Sequence, residues 1–334
     1  MNVRCTCVAL ATAVAAAASC GAADSIKTTK MTYIGTIKST SPTEVQFERG
    51  GTVTPIPVNE IINVRLDAEP SDLNAARAHA AAGRYNDARE SLGKIDPGEL
   101  NREVTKAEFD FLRAYVDAKT ALAGSGDVAK AGSAMVDFTR NHPRSFHVLE
   151  ANELIGDLLV AGGKYDAAQG YYRKLTEAPW PAYQTRAKVL LGKAELAQGK
   201  IAEAKATFQS ILDSAAADSE PEKVAAELGI ARCLAAEQDY EGAIETARKV
   251  VASVDPEDTA LSAQAYNALG TALNASGKKR DALIAFLHVD VLYFNAPSEH
   301  VEALEHLAQL WTDLNRPEQA TQAKQILKQR YNRQ

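Results

Sequence analysis

The chain has 334 residues, a formal net charge of −6, 24% charged residues and 46% hydrophobic ones. That balance excludes disorder of the whole chain, and the net acidity excludes a general electrostatic pull on nucleic acid or anionic lipid. Cys5, Cys7 and Cys20 crowd the start and leave Cys233 alone in the remainder, so no intrachain disulfide framework is expected there.

Residues 1–23 read as an export address. Arg4 is their only charge, so removing them takes the net charge from −6 to −7. The apolar run Val8–Ala18 is too short to cross a bilayer as a helix, and small residues follow it, which is the three-part plan of a signal peptide. Two processing readings stay open. One is a cut after Ala23, with Gly21 and Ala23 as the small flanking residues. The other treats Ala17-Ala18-Ser19-Cys20 as a degenerate lipobox, with lipid on Cys20. Either way the expected location is exported, periplasmic or outer-membrane-associated, with membrane contact only if Cys20 is lipidated.

Residues 24–68 are rich in β-formers. Met31–Lys38, the alternating Glu44–Glu48, Thr52–Pro57 and the alternation Ile62, Val64, Leu66 read as short strands, with Gly50-Gly51 as a hairpin turn. Four to five strands in this span suit a small SH3- or Sm-like β-barrel. Pro55 and Pro57 mark their strand as an edge or a bend. Only Glu69, Pro70 and Ser71 separate this module from the first helical pattern, so it is expected to abut the first repeat and cover its apolar edge.

From residue 71 to 332 the chain repeats itself. A loop motif, clearest at Gly83–Ala88, Gly163–Ala168 and Gly199–Ala204, leads each time to an alanine that opens a helix. These alanines are Ala88, Ala131, Ala168, Ala204, Ala243, Ala282 and Ala320, at steps of 43, 37, 36, 39, 39 and 38 residues. Such a period signals a helical solenoid. Twelve residues earlier stands a small residue (Ala76, Gly156, Gly192, Ala231, Gly270, Ala308), with Lys119 as the exception. Glycine inside a helix costs about 1 kcal/mol relative to alanine, so its recurrence predicts close approach of the partner helix. Large residues follow most of the alanines at four and seven positions, one face of a helix: Leu92 and Ile95, Met135 and Phe138, Tyr172 and Leu175, Phe208 and Ile211, Phe286 and Val289.

The Leu-Gly pair, the Gly-x-Tyr-x-x-Ala turn and the later aromatic or aliphatic resemble the tetratricopeptide repeat. The period exceeds that family's usual 34 residues and is similar to the secreted bacterial members, such as the Tol–Pal coordinator and the outer-membrane assembly lipoproteins. The resemblance implies a mainly α fold, a TPR-like solenoid of about seven helical hairpins, and a role in organising other envelope proteins.

Catalytic constellations are missing from the sequence. It has no Gly-x-Ser-x-Gly elbow, phosphate loop or His-Glu-x-x-His pair, so neither an enzyme nor a cofactor is expected. His300 and His306 are six apart on different faces of one helix and read as solvated side chains. Asn274-Ala275-Ser276 matches a glycosylation sequon. What remains is the groove. The first helices of the hairpins would place Lys193, Arg232 and Thr271 in one row, with Asn267 a turn earlier and Arg186 and Asn274 on the same faces. Acidic Glu153 and Asp157 precede the row, so a groove negative at its start and positive in its middle is predicted. Such a row holds a carboxylate or an extended peptide. The function read here is a non-catalytic scaffold that binds an envelope protein or extended peptide along its concave surface, and not nucleic acid. The competing reading is a self-assembling or lipid-anchored structural protein that oligomerises through the β module. Neither the partner's identity nor the oligomeric state is fixed by the sequence.

Overall fold

The computed structural model describes residues 23–214 and 220–331; the expected lipidation residue Cys20 lies outside them. Five strands come first: β1 (Asp24–Thr28), β2 (Thr32–Thr40), β3 (Glu44–Arg49), β4 (Thr52–Pro57) and β5 (Ile61–Arg65). They form one antiparallel sheet in the order β4-β3-β2-β1-β5. The sheet curls, helped by register shifts at Lys27/Thr28 and Ile37/Ser39. Gly35 lets β2 cross close to β3, since a Cβ there would sit 2.1 Å from the Glu48 carbonyl oxygen. The expected barrel does not close, because β4 and β5 do not pair with each other. Instead Phe146, from the helical part, fills the core of Ile26, Val45, Phe47 and Ile56. β4 is an edge strand, as its prolines required. Lacking N–H groups at Pro55 and Pro57, it makes a poor template for strand addition.

Fourteen helices follow among the described residues, paired into seven hairpins. They are α1 (Ser71–Ala81) and α2 (Tyr85–Gly93), then α3 (Glu103–Leu122) and α4 (Val128–Asn141), then α5 (Val148–Ala161) and α6 (Tyr165–Leu175). Next come α7 (Pro181–Ala197), α8 (Ile201–Leu212), α9 (Glu220–Ala236) and α10 (Tyr240–Ser253). The last four are α11 (Thr259–Ala275), α12 (Lys279–Leu292), α13 (Pro297–Asp313) and α14 (Pro317–Tyr331). All seven anchor alanines are buried. Five residues before the anchor, the chain turns left-handed in six hairpins: at Gly83, Gly163, Gly199 and Gly277, and also at Gln238 (φ 67°) and Asn315 (φ 57°). The turn geometry is kept even where glycine is not. The second hairpin differs. It turns at Gly124, two residues early, and buried Ala118 takes the place that the phase gave to Lys119.

The small residues do more than let backbones approach. A Cβ on Gly156 would lie 2.2 Å from the Tyr172 ring, one on Gly192 2.8 Å from Phe208, and one on Gly270 2.7 Å from Phe286. Each ring comes from the second helix of the same hairpin, four residues past the anchor alanine. Phe208 is also covered from the next hairpin, by Gly229. The missing side chains are sockets for aromatic knobs.

The β module docks differently from the expectation. Phe146 in the α4–α5 connection and Val104 in α3 pack on its core, while the α1–α2 core contains no residue of the sheet. Asp24, on β1, is almost fully buried and grips Arg102 at 2.6 and 2.7 Å while accepting from the Ile37 and Asp67 N–H groups. Burial pushes its carboxyl up, but Arg102 and the two amides outweigh this and hold it below the usual range. The sheet is thus bolted to the second and third hairpins rather than laid over the outer edge of the first.

The array curves until its ends meet. The Ser125 hydroxyl, in the α3–α4 turn, donates to the main-chain oxygen of Tyr331 at the end of α14, at 2.5 Å across 206 positions of sequence. No helix among the described residues is long and apolar enough to cross a membrane.

Candidate functional site

Two clusters of charged side chains stand out, and they are built differently. The first lies where the sheet meets the array. Glu108 of α3 is buried between the Arg77 guanidinium, at 2.7 Å, and the His147 imidazole, at 2.8 Å. Arg77 turns its other face to Glu69. His147 stacks on Phe111 at 3.7 Å between ring centroids. Burial pushes the Glu108 carboxyl up, yet His147 and Arg77 together bring it down to about 2. Burial likewise pushes the His147 imidazolium down, and Glu108 and Glu150 more than reverse this, raising it to about 9. Both groups are therefore ionised at neutral pH, and every charge has its partner. No local pattern in the sequence marks this cluster, because Glu69, Arg77, Glu108 and His147 are scattered over four segments.

The second cluster lines the inside of the curve. Helices α5, α7 and α9 form one wall and the first turns of α11 and α13 the other, enclosing adjoining cavities of about 340 and 580 Å³. Helical spacing brings Glu153 and Asp157, Arg186, Val189 and Lys193, then Leu228 and Arg232 to this bore, as the sequence pattern predicted. Beyond α9 the pattern fails. Asn267 is fully buried and its Nδ2 donates to the Glu299 main-chain oxygen at 2.8 Å. Its Oδ1 and the Thr271 hydroxyl are buried with no hydrogen-bond partner among the described residues. Neither lines either cavity: Asn267 turns to the main chain of α13, and the Thr271 hydroxyl is buried. Asn274, in the last turn of α11, is away from both cavities. The places expected of Asn267 and Thr271 are taken by Gln264, six residues before Gly270, and by Glu299 and Glu302 of α13. These sit six to nine residues before Ala308, so the stripe on the first helices extends two turns further N-terminal than the row first drawn.

The predicted polarity is corrected too. Glu153 does not leave the start of the bore negative, because Arg186 clamps it through two bonds of 2.6 and 2.7 Å. Nor is the middle simply positive. Arg232 reaches across to Glu302 at 3.2 Å, and Gln264 donates to Glu299 at 3.4 Å. Asp157 accepts from the Tyr172 hydroxyl at 2.8 Å, and burial, with Glu153 beside it, pushes its carboxyl up. Glu299 is pushed up by burial and by Glu302. Lys193 has no hydrogen bond or ion pair among the described residues. Its accessible surface opens on both cavities. Enclosure by protein, and then Arg232, push its ammonium down from the ordinary value despite Asp157 and Glu299. Among the described residues the bore thus contains Lys193 with no hydrogen bond or ion pair, and two carboxylates, Asp157 and Glu299, that no cation bridges.

Of the two histidines read as solvated, His300 is buried and His306 is half-buried. His300 is buried at the start of α13, with Nε2 on Asp290 at 2.8 Å and Nδ1 on the Tyr331 hydroxyl at 2.6 Å. His306 stacks on Phe286 at 4.5 Å. Among the described residues no group of three or more His, Cys, Asp and Glu side chains is placed to hold a metal ion. Cys233 is a buried thiol that burial pushes up to about 11, and so an inert core residue.

Residues 153–215 and 189–259 match the family model described as tetratricopeptide repeat. The two matches together span residues 153–259, about a third of the chain, from α5 to the start of α11. A tetratricopeptide repeat protein from Parabacteroides merdae superposes with a TM-score of 0.50 at 16% identity, over 77% of this chain and 91% of that one. The apo form of RapI aligns with a TM-score of 0.45 at 12% identity, over 77% of this chain and 74% of that one. The apo form of the quorum sensor NprR from B. thuringiensis aligns at 0.45 and 11%, over 77% and 85%. The likeness to the Parabacteroides merdae protein is one of fold. No curated protein sequence matches this one.

Proposed function

We propose that this tetratricopeptide repeat protein is a non-catalytic scaffold of the bacterial envelope that binds a polypeptide partner inside the bore of its helical array. The observation that carries the reading is Lys193. Its side chain is exposed to solvent, has no hydrogen bond or ion pair among the described residues and faces two adjoining cavities, so it is free to take a charged group from a partner. Apolar Val189 and Leu228 beside it offer contact for the partner's side chains. The partner presents a carboxylate to Lys193. Export rests on the residues before Ala23. A cut there leaves Asp24, the first residue of β1, as the new terminus, and lipidation at Cys20 keeps four further residues ahead of it.

A titration tests the binding reading. Fluorescein-labelled octaglutamate is added to the full chain at low salt and followed by anisotropy, with octalysine as the control. Lys193→Ala is expected to weaken octaglutamate binding at least tenfold, equivalent to about 1.4 kcal/mol, with an unchanged melting temperature. Equal binding by variant and wild type would place the interaction elsewhere. Export is tested by the mass of the chain from native cells. A start at Asp24 or Cys20 agrees with it, a diacylglyceryl mass on Cys20 selects the lipid-anchored form, and retention of Met1 refutes it.

A further inference from the structure

The two walls of the bore carry opposite charges and barely neutralise each other. In the smaller cavity Lys193 of α7 and Arg232 of α9 stand on one side, and Glu299 and Glu302 of α13 on the other. Lys193 and Glu299 border both cavities, so they flank the passage from one to the other. Among the described residues neither is bridged by a charge of opposite sign, and the side-chain neighbour of Glu299 is the neutral Gln264 amide at 3.4 Å. Arg232 and Glu302 do meet, at 3.2 Å, but both are half-exposed, and such a pair holds weakly in water. The acidic wall is fixed in place. Leu304 and Leu307 of α13 lie in the core shared with α11, α12 and α14, and the Asn267 amide holds the Glu299 main-chain oxygen at 2.8 Å. A partner must therefore match both walls as they stand.

This balance decides what the bore selects. A segment of one sign gains on one wall and meets like charge on the other, whereas a segment carrying both signs gains on both. Burial, with Glu302 beside it, pushes the Glu299 carboxyl up, so any cation brought to Glu299 stabilises its ionised form. An extended chain sends successive side chains to opposite sides, which is the geometry that two facing walls require. Two residues along such a chain advance about 6.6 Å. Packed helices lie about 8–10 Å apart, so long side chains two positions apart reach α7 and α9 in turn. We infer that the partner segment is an extended polypeptide in which acidic and basic side chains alternate, its carboxylates facing Lys193 and Arg232 and its cations facing Glu299 and Glu302. This rests on the bore reading above and adds the chemistry of the partner.

Three fluorescein-labelled octamers, added to the full chain at low salt and followed by anisotropy, test this. An alternating lysine–glutamate octamer offers one sign to each wall. A block octamer of four lysines followed by four glutamates has the same composition and net charge, and octaglutamate has one sign only. The alternating octamer is expected to bind at least tenfold more tightly than either of the others. Glu299→Gln is isosteric and is expected to weaken the alternating octamer at least fivefold, with an unchanged melting temperature and no loss of octaglutamate binding. Glu302→Gln, one turn further along α13, is expected to act in the same direction. Equal binding of the alternating and block octamers overturns the inference, and so does an alternating octamer that neither substitution weakens. In both cases Lys193-dependent binding of octaglutamate leaves the bore reading standing. Binding of no octamer, or binding that ignores Lys193→Ala with every octamer, brings down both.

Discussion

The junction between sheet and array buries its central charge, Glu108, whereas the bore inside the array leaves its central cation, Lys193, exposed to solvent, and only the junction is complete. At the junction Glu108 has Arg77 and His147, and Arg77 also has Glu69. In the bore Lys193 has no hydrogen bond or ion pair among the described residues, and Asp157 and Glu299 are held by the neutral donors Tyr172 and Gln264. A satisfied buried network fixes geometry, because removing any member strands the others. An exposed cation without a partner costs little in water and stays free to take a ligand. That contrast separates a structural cluster from the one to which the proposed binding role belongs.

The comparison breaks if the junction tolerates loss of its centre. Glu108→Ala leaves Arg77 with one carboxylate and His147 with only the half-exposed Glu150, and is expected to lower unfolding stability by about 3–5 kcal/mol in denaturant titration. The pH profile comes next. The folded pKa of His147 is raised from 6.5 to about 9. Its stabilisation is therefore complete below pH 6.5 and drains away as pH rises through 9, a loss of about 3 kcal/mol at most. The folded pKa of Glu108 is lowered from 4.5 to about 2, so its contribution is complete above pH 4.5 and is lost as pH falls through 2. A melting temperature with its plateau between pH 4.5 and 6.5 is expected, and a maximum above pH 8 would contradict the assignment. Gly192→Leu forces a side chain against Phe208, which is fully buried between Gly192 and Gly229. It should cost roughly 1–3 kcal/mol and deform the bore wall along with it. The smallest effect belongs to the bore itself. Lys193→Met should leave stability within about 0.5 kcal/mol of the wild type or raise it slightly, since no partner is stranded. A large destabilisation there would erase the distinction between the two clusters.

The hairpins were legible in the sequence because a repeat samples one packing problem seven times. Anchor alanines, left-handed turns and large residues at fixed offsets are local consequences of helical spacing, and each recurrence reinforces the others. Even Gln238 and Asn315 fit, because position fixes their backbone where composition does not. Legibility weakened where contacts join distant segments. That Gly192 receives Phe208 follows from two offsets within one hairpin and was nearly in view. That Phe146 fills the core of the sheet, and so leaves β4 and β5 unjoined, depends on a docking that no local pattern encodes.

The bore was half visible for the same reason. Glu153, Asp157, Arg186, Lys193 and Arg232 follow from the 3.6-residue period of α5, α7 and α9, so the sequence alone placed them on one wall. It also determined the helical array, the phase of its hairpins and the edge character of the proline-bearing strand. Only the tertiary structure decided that Asn267 is covered, that Glu299 and Glu302 stand opposite the basic row, and that His300 is buried. Those outcomes depend on the curvature of the whole array. Small rotations between successive hairpins add up until Tyr331 reaches Ser125. Each rotation is set by the fit of side chains between neighbouring hairpins, so the sum is a property of all seven together and of no single stretch of sequence.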